Sequence, residues 1–312
     1  MRYFSLLLLY ICLSNTVLPQ HIAILVQDSG VLFKEGNDSI LFYQTANKSS
    51  NGSYKRSNYV HPLYGLNGHV LTEDFPADHP HHRGLFWAWH QLYVGEKRIG
   101  DGWLTKDFSW ELVSVVALEQ QGKEKCIESK VVWKSPHWVD SVGNKKPIVT
   151  ERTTISVYPA EKNYRLIDFK ISLLAEQPDT RIGGSEDKKG YGGFSLRMKS
   201  IKDLKFRNLE GSIKPNSLPI QTTGWMDMEA TVSENSMSSI AVLGHPENPG
   251  YPNPWVLRAK NSMQNAVYPY PGATTIHLSN QEPTILRYRI IVHNGLDISE
   301  IAMLDTMYGK CN

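Results

Sequence analysis

The chain has 312 residues, of which 41% are hydrophobic and 21% are charged, and its formal net charge is +2. A balance this close to neutral, with no basic stripe, argues against nucleic acid and anionic membrane surfaces as general partners. The length is enough to bury a large core, either in one large β domain or in two smaller domains.

Residues 1–20 are predicted to be a signal peptide, because Arg2 precedes an apolar run that is followed by a small, polar stretch. The apolar run is shorter than the roughly 20 residues that cross a bilayer, and no later segment is long enough either. We therefore expect an exported chain, periplasmic or extracellular, without a membrane span. Its two remaining cysteines, Cys126 and Cys311, could form one disulfide in an oxidising compartment.

Apolar runs separated by turn residues predict β-strands through most of the remaining chain. Asn67-Gly68 marks a tight hairpin between two of them. The predicted strands are residues 22–26, 31–34, 40–43, 59–63, 69–71, 110–118, 126–133, 150–158, 164–174, 193–199, 204–206, 224–232, 239–244, 273–278 and 283–292.

This succession of strands is typical of an antiparallel meander, and only residues 298–307 have a helical pattern. The sequence therefore predicts an all-β fold: one large antiparallel β-sandwich over residues 21–312, of the simple or the supersandwich type, with a short C-terminal helix. A barrel is the alternative, since strand closure is not written in one sequence. The pattern leaves the oligomeric state open.

The most polar segment of the chain is residues 72–90, TEDFPADHPHHRGLFWAWH. Buried polar groups cost free energy unless each finds a partner, so such a density of them beside proline and glycine predicts a loop that builds a site. Trp87 and Trp89 could form an apolar wall or a stacking platform. The alternative is a solvated loop or an adventitious metal binder. The segment contains Arg83 and four histidines: His79, His81, His82 and His90.

Two further segments could contribute to the same site. Residues 244–255 contain four prolines, which restrict the backbone and can hold His245, Asn248 and Trp255 in place, although the segment could equally be a stiff connector. The glycine-rich residues 183–193 permit close backbone approach, and they carry Glu186 and Tyr191; the alternative there is an ordinary flexible loop.

Period-two alternation adds basic side chains to the candidates. Over residues 284–294, Leu286, Tyr288, Ile290 and Val292 share one face, while Arg287, Arg289 and His293 share the other, where they could line a positively charged groove. In the same way, Arg197 faces away from the apolar side chains of its own predicted strand.

Three segments together resemble the PmoA-like family: HPLYGLNGHVLTEDFPADHPHHRGLFWAWH, GYGGFSLRM and LGHPENPGYPNPWVLR. The resemblance covers nearly the whole chain after residue 20. It implies a β-sandwich with a pocket rich in histidine and arginine and a sugar-related role in an exported protein. It does not imply methane oxidation, because the particulate methane monooxygenase subunit is an integral membrane protein and this chain has no predicted span.

These features favour an exported carbohydrate-active enzyme, a hydrolase, lyase or epimerase, because histidine exchanges protons near neutral pH and arginine neutralises carboxylates and oxyanions. In this interpretation His81 or His82 is the acid or base, His245 is the complementary group and Glu186 is a carboxylate partner. The expected substrate contacts are His79, Arg83, Trp87, Trp89, His90, Tyr191, Arg197, Asn248, Trp255 and His293.

That enzyme would need no cofactor, but two alternatives stay open. His79, His81 and His82 could instead hold a divalent metal, since imidazole suits zinc and related ions. The chain could also be a non-catalytic carbohydrate-binding protein, for which aromatic side chains alone would serve.

Overall fold

The computed structural model describes residues 21–199, 202–234 and 236–310, with the side chains of residues 202 and 203 left out. The predicted signal peptide and Cys311 lie outside these ranges. Within them the chain is almost entirely β-structure, as predicted. The strands of its first half are β1 Ile22–Gln27, β2 Gly30–Glu35, β3 Asp38–Gln44, β4 Lys48–Ser50, β5 Ser53–Arg56, β6 Tyr59–Leu63, β7 Leu85–Trp89, β8 Gln91–Val94, β9 Lys97–Gly100, β10 Ser109–Leu118, β11 Lys125–Lys134 and β12 Val149–Val157.

The second half continues in the same way and ends in one helix. Its elements are β13 Tyr164–Ala175, β14 Thr180–Gly183, β15 Gly192–Leu196, β16 Lys202–Asn208, β17 Gly211–Ile213, β18 Trp225–Ser233, β19 Ser236–Gly244, β20 Trp255–Val256, β21 Gln264–Val267, β22 Ile276–His277, β23 Thr284–His293 and α1 Ile298–Tyr308.

Two large antiparallel sheets dominate the fold. The first has the order β1-β2-β3-β6-β7-β15-β21-β20, and the second has the order β10-β11-β12-β13-β23-β19-β18-β16-β17. The strands β22-β14-β8-β9 form a smaller sheet, and β4 and β5 pair as a hairpin. Consecutive strands are mostly neighbours, but β7, β15 and β21 lie side by side although about a hundred residues separate the first two. This non-local pairing builds the site described below.

The two large sheets pack face to face over one apolar core. Side chains from the first sheet, such as Phe33 and Trp87, share a single cluster with side chains from the second, such as Ile155 and Ile290. Every second residue of β12 is buried, which is the period expected of a strand with one face in the core. The predicted all-β sandwich is therefore confirmed.

The alternation predicted for residues 284–294 is also confirmed. Leu286, Tyr288, Ile290 and Val292 of β23 join the core between the sheets, whereas Arg287 and Arg289 line a cavity on the outer face of the second sheet. Helix α1 covers part of that outer face with Ile301, Leu304 and Tyr308. Its first turn is closed by a capping box, because Asp297 accepts the backbone N–H of Glu300 and the Glu300 carboxylate accepts that of Asp297.

One loop prediction and two strand predictions are corrected. Residues 72–90 are not a loop throughout, since β7 begins at Leu85. Residues 69–71 form no strand but only an isolated bridge between Tyr64 and Val70, and of the strand predicted at 273–278 only Ile276–His277 is paired. In the described part of the chain, no helix is long and apolar enough to cross a membrane.

Candidate functional site

A cavity of about 400 Å³ opens on the outer face of the first sheet, which is the face opposite the core. Below it, Phe86 and Ala88 of β7 point away from the core and pack with Trp103 and Met263. We call this space the histidine cavity, because four imidazoles line it. Its lining consists of His79, His81, His82, His90, Trp103, Leu104, Ser185, Asp187, Lys189, Tyr191, Arg258, Lys260, Asn261 and Met263.

The segment that carries three of the histidines is fixed by its backbone to Arg197, the residue that follows the end of β15. The Glu73 N–H donates to the Arg197 carbonyl at 3.0 Å, and the Arg197 N–H donates to the Gly84 carbonyl at 2.7 Å. Between these anchors, the His82 N–H donates to the His79 carbonyl at 2.9 Å, which closes a turn. The histidine-rich segment is therefore a pinned turn rather than a solvated loop.

The Arg197 side chain holds that turn from below. Its Nη2 donates to Asp78 Oδ1 at 2.7 Å, its Nε donates to Glu73 Oε2 at 2.8 Å, and its Nη1 donates to the Asn261 carbonyl at 2.9 Å. Nη1 also lies 3.4 Å from His82 Nδ1. Arg197 is buried, so it supports the cavity from behind its lining. Partial burial opposes ionisation of Asp78, but hydrogen bonds from Arg197 and His79 outweigh it and lower the pKa of Asp78 to about 2.

The three histidines of the turn stack on one another. The rings of His79 and His82 are parallel at 4.8 Å between centroids, and His81 meets His82 edge-on at 4.5 Å. Burial lowers the pKa of His82 to about 2, with neighbouring positive groups adding to the effect. Burial and the charges of His79 and Arg56 lower the pKa of His81 to about 4. Both imidazoles are therefore neutral at neutral pH.

His90 enters the cavity from the end of β7 and has a different environment. Its ring stacks on Trp103 at 5.3 Å, and its Nδ1 lies 3.0 Å from Asp101 Oδ2. Asp101 is fixed in turn, because its other oxygen accepts the Leu104 N–H at 2.8 Å. A carboxylate accepts but does not donate, so the Nδ1 proton of His90 points at Asp101 and Nε2 carries the lone pair. This is the arrangement of a histidine base and its orienting carboxylate.

Two segments form the cavity wall opposite the histidines: the glycine-rich loop before Tyr191 and residues 258–263. Tyr191 stands next to Trp103 with 5.4 Å between ring centroids, and Arg258 lies 5.7 Å from the Tyr191 ring. The loop before Tyr191 packs backbone against backbone, since a Cβ on Gly272 would lie 2.1 Å from the Gly190 carbonyl oxygen. Glycine is required there for the close approach that fixes this wall.

Of the predicted site residues, the structure places His79, His81, His82, His90 and Tyr191 in this cavity, and Arg197 directly behind it. Their predicted roles remain predictions. Several other candidates lie elsewhere.

Arg83 does not reach the cavity. Its guanidinium pairs with Asp74 at 3.0 Å, donates to the Tyr54 carbonyl and lies 3.3 Å from the centre of the Phe75 ring. The charge of Arg83 is thus paired with Asp74 and helps to hold the loop. The prediction that Arg83 contacts the substrate is therefore corrected.

The predicted tryptophan platform is also corrected. Trp87 and Trp89 are 1% and 2% exposed and face the core, because alternation along β7 turns them away from the cavity. Their indole N–H groups donate to Glu151 and to the Tyr268 carbonyl. Trp255 is buried in the same core. Trp103, which no sequence motif marked, is the tryptophan of the cavity.

His245, Asn248 and His293 lie on the outer face of the second sheet or at its edge, on the other side of the sandwich. His245 packs edge-on against Tyr308 at 5.0 Å, and Asn248 exchanges hydrogen bonds with the Arg287 backbone. His293 is fully buried and its Nε2 lies 3.0 Å from Asp227. The prediction that His245 shares a pocket with His82 is wrong, because β19 belongs to the opposite sheet.

Glu186 lies next to the cavity but outside its lining. Its side chain is 61% exposed and pairs with Arg98 at 2.8 Å. The neighbouring Asp187 lines the cavity instead. Among the described residues, no group of three or more histidine, cysteine or carboxylate side chains is arranged to hold a metal ion, the set His79, His81 and His82 included.

Comparisons with known proteins give a family but no activity. A family model described as "Family of unknown function (DUF6807)" matches residues 31–304. No curated protein matches the chain. Among solved structures, the GH36 alpha-galactosidase AgaB from Geobacillus stearothermophilus superposes with a TM-score of 0.39 and 8% identity, over 88% of this chain and 38% of that enzyme. The GH36 alpha-galactosidase AgaA from the same organism gives 0.40 and 7%, over 90% and 42%. The chain spans about two fifths of the length of these enzymes.

Proposed function

Since the chain belongs to DUF6807, a family of unknown function, we propose a function from the histidine cavity itself: it binds a carbohydrate and transfers a proton to or from it, with His90 as the base. The observation that carries this proposal is the pair formed by His90 and Asp101. Export, and with it an extracellular substrate, stays part of the proposal.

The geometry of His90 supports proton transfer. Asp101 holds its Nδ1 proton, so Nε2 is the atom left to accept a proton from a bound substrate. The ring is also fixed in plane by its stacking on Trp103. A base that is oriented by both a carboxylate and an aromatic ring needs little reorganisation at the moment of reaction.

The remaining lining suits a sugar. Leu104 and the half-buried Tyr191 present apolar surface to the cavity, and Trp103 closes its bottom. The neutral imidazoles of His81 and His82 each have one donor and one acceptor nitrogen, which match the hydroxyl groups of a sugar. Pockets for small polar ligands typically combine such an apolar wall with a few placed polar groups.

The carboxylates of the cavity lining favour a lyase or an epimerase over a hydrolase. Glycoside hydrolysis in most enzymes uses two carboxylic side chains that face each other across the sugar. In the described lining, Asp187 is the one carboxylate, and it pairs with Lys189 at 3.7 Å. We therefore place a lyase or an epimerase, which needs a base to abstract a proton, ahead of a hydrolase.

The substitution His90→Gln tests the proposal. Purified protein is incubated with a panel of mono- and oligosaccharides, products are detected by mass spectrometry and NMR, and binding is measured as a rise in melting temperature. We expect His90→Gln to lower turnover at least about 100-fold while binding persists. The matched control is His137→Gln, because His137 pairs with Asp107 at 3.3 Å outside the cavity lining.

Unchanged turnover in His90→Gln would overturn its role as the base. Binding of saccharides without turnover by the wild-type protein would favour the non-catalytic carbohydrate-binding protein.

A further inference from the structure

We propose that the ligand of the histidine cavity carries a carboxylate, so that the sugar is a uronic acid. This inference rests on the proposed function and specifies its substrate class. It starts from the wall opposite the histidines, which residues 258–263 and the loop before Tyr191 form.

Arg258 is held in place as an anion receptor. Its Nη1 donates to the carbonyls of Asn216 and Leu257, both at 2.8 Å, and its Nη2 donates to the Ser217 carbonyl at 3.2 Å. A guanidinium has five N–H donors, so three are used by the backbone and the others remain for Tyr191 and a ligand. None of the carboxylates of the described residues pairs with Arg258, so its charge has no counter-ion in this wall.

Lys260 adds a second cation to the same wall. Its side chain is exposed at the cavity, and it has no ion-pair partner among the residues that the structure describes. The nearby Lys189 is different, because Asp187 lies 3.7 Å from its ammonium group. The surplus of positive charge therefore lies at Arg258 and Lys260.

A third cation lies beneath the cavity. Arg56 is fully buried between the rings of Phe86 and Trp110, at 4.6 and 4.3 Å, and its Nη2 donates to the Gly102 carbonyl. Its Nε and Nη1 have no hydrogen-bond partner within the described ranges. Burial, followed by the charge of Arg83, lowers the pKa of Arg56 to about 9, which leaves it positive at neutral pH. The charges of Glu151 and Asp101 act on Arg56, but it forms no close ion pair among the described residues, and its positive charge favours an anion in the space above it.

The two walls together define the ligand. The cationic wall would bind the carboxylate through the planar guanidinium of Arg258, as in other arginine–carboxylate pairs. The histidine wall would contact the hydroxyl groups and the carbon next to the carboxylate. When His90 Nε2 takes the proton from the carbon next to that carboxylate, the C–H electron pair moves into the carboxylate as an enediolate, whose added charge the cationic wall stabilises. The enediolate then expels the oxygen substituent on the next carbon, in a lyase, or regains a proton on its opposite face, in an epimerase.

The experiment compares two ligands that differ only at C6 of each ring, a hydroxymethyl group in cellotriose and a carboxylate in its C6-oxidised counterpart, the glucuronate trimer. Dissociation constants are measured by calorimetry for the wild-type protein and for Arg258→Gln and Lys260→Gln. Arg152→Gln is the matched control, because Arg152 forms an exposed pair with Glu128 on the outer face of the second sheet. Sodium acetate and sodium sulfate, which are anions without a sugar ring, complete the set.

We expect the glucuronate trimer to bind at least about 10-fold more tightly than cellotriose, and each cavity variant to remove most of that preference. Arg152→Gln should leave that preference unchanged.

Equal binding of the two trimers, or an unchanged preference in both Arg258→Gln and Lys260→Gln, would overturn the inference while leaving the proposed function standing. If neither trimer binds and no other saccharide does, both proposals fail. Competition by acetate or sulfate as strong as that by the trimer would indicate a simple anion site. Lys260 is exposed, so its variant remains informative even if Arg258→Gln folds poorly.

Discussion

Arg197 Nη1 lies 3.4 Å from His82 Nδ1, at the back of the histidine cavity. Nη1 has two N–H groups, and its nearer acceptors are the Asn261 carbonyl at 2.9 Å and Asp78 Oδ2 at 3.1 Å. One buried arginine thus lies against a cavity histidine. It also holds the turn on which that histidine lies, through Glu73 and Asp78.

Replacing Arg197 by methionine should therefore destabilise the protein. The variant removes the arginine partner of Glu73 and Asp78, although Asp78 keeps its contact with His79, and we expect a loss of about 2 kcal/mol in the free energy of unfolding. This is less than for a fully buried pair, because Glu73 and Asp78 both reach solvent. Urea unfolding measures the loss. Arg152→Met, which removes an exposed pair, should change stability by no more than about 0.5 kcal/mol. Equal losses in the two variants would contradict a supporting role for Arg197.

The second prediction concerns Asp101. In Asp101→Asn the amide group can donate to Nδ1 of His90, which would move the imidazole proton to Nε2 and remove the basic lone pair from the position assigned to the base. We expect the rate of the chemical step to fall by about 100-fold or more, with the dissociation constant of the substrate nearly unchanged. Single-turnover kinetics separate the two quantities.

Asp107→Asn is its control, since Asp107 pairs with His137 outside the cavity lining. A loss of binding without a loss of rate in Asp101→Asn would show that Asp101 shapes the cavity and does not orient a base.

The lowered histidine pKa values predict how stability depends on pH. The pKa of His82 falls from 6.5 to about 2 on folding and that of His81 to about 4. Below pH 6.5 the unfolded chain therefore binds protons that the native state does not, and stability falls as the pH is lowered through this range. Each such histidine contributes a slope of up to about 1.4 kcal/mol per pH unit.

Chemical unfolding between pH 7 and pH 4 checks this prediction. The slope should be shallower in His82→Gln than in the wild-type protein. The exposed His277 provides the comparison, and His277→Gln should keep the wild-type slope. Identical slopes in all three proteins would mean that His82 titrates normally in the native state.

The sequence alone predicts the fold and the histidine wall of the cavity. Strand alternation and turn residues predicted the all-β sandwich, and the polar density around His81 marked the correct turn. The same alternation, applied to β7, turns Trp87 into the core, but the polar density of residues 72–90 predicts a loop, in which period two has no meaning.

Of the other wall, Tyr191 was predicted but Arg258 and Lys260 could not be, because strand order is not local information. Tyr191 and Arg258 line one cavity with His82 because β7, β15 and β21 are neighbours in one sheet. His245 lies in an equally suggestive proline-rich segment, yet β19 belongs to the second sheet. A motif shows which residues have suitable chemistry, whereas the pairing of distant strands decides which of them meet.

Glu151 provides a prediction for the core. Its carboxylate is fully buried between the sheets and accepts hydrogen bonds from Asn58, Trp87, Thr153 and Trp133 at 2.6–2.8 Å. Glu151→Ala should cost about 3–5 kcal/mol, because it leaves four buried donors without an acceptor. Glu151→Gln keeps one acceptor oxygen and should cost less, about 1–3 kcal/mol. Glu128→Gln, at an exposed pair on the neighbouring β11, should be nearly neutral.

The pH dependence of the same variants gives an independent check. Burial raises the pKa of Glu151 above its ordinary value of 4.5, so the native state holds this proton more tightly than the unfolded chain. The contribution of Glu151 to stability is therefore greatest at low pH and falls as the pH rises above 4.5. The stability difference between wild type and Glu151→Gln should shrink over that range, and a difference that grows would contradict the direction of the shift.

The last prediction concerns His245, which lies on the far side of the sandwich. Its substitution should therefore affect the stability of the protein and not its turnover. His245 is buried, its Nδ1 accepts the Glu247 N–H at 3.2 Å, and its ring packs against Tyr308 of α1. Its replacement by alanine removes these contacts and should lower the free energy of unfolding by about 1–3 kcal/mol. Because His245, Glu247 and Tyr308 are not among the residues that line the histidine cavity, turnover per folded molecule should stay within about two-fold of wild type, in contrast to His90→Gln. Measuring both quantities at a temperature well below the melting transition separates the two effects. A catalytic loss in His245→Ala as large as that of His90→Gln, with stability unchanged, would move the active site to the cavity that His245 lines with Arg287 and Arg289.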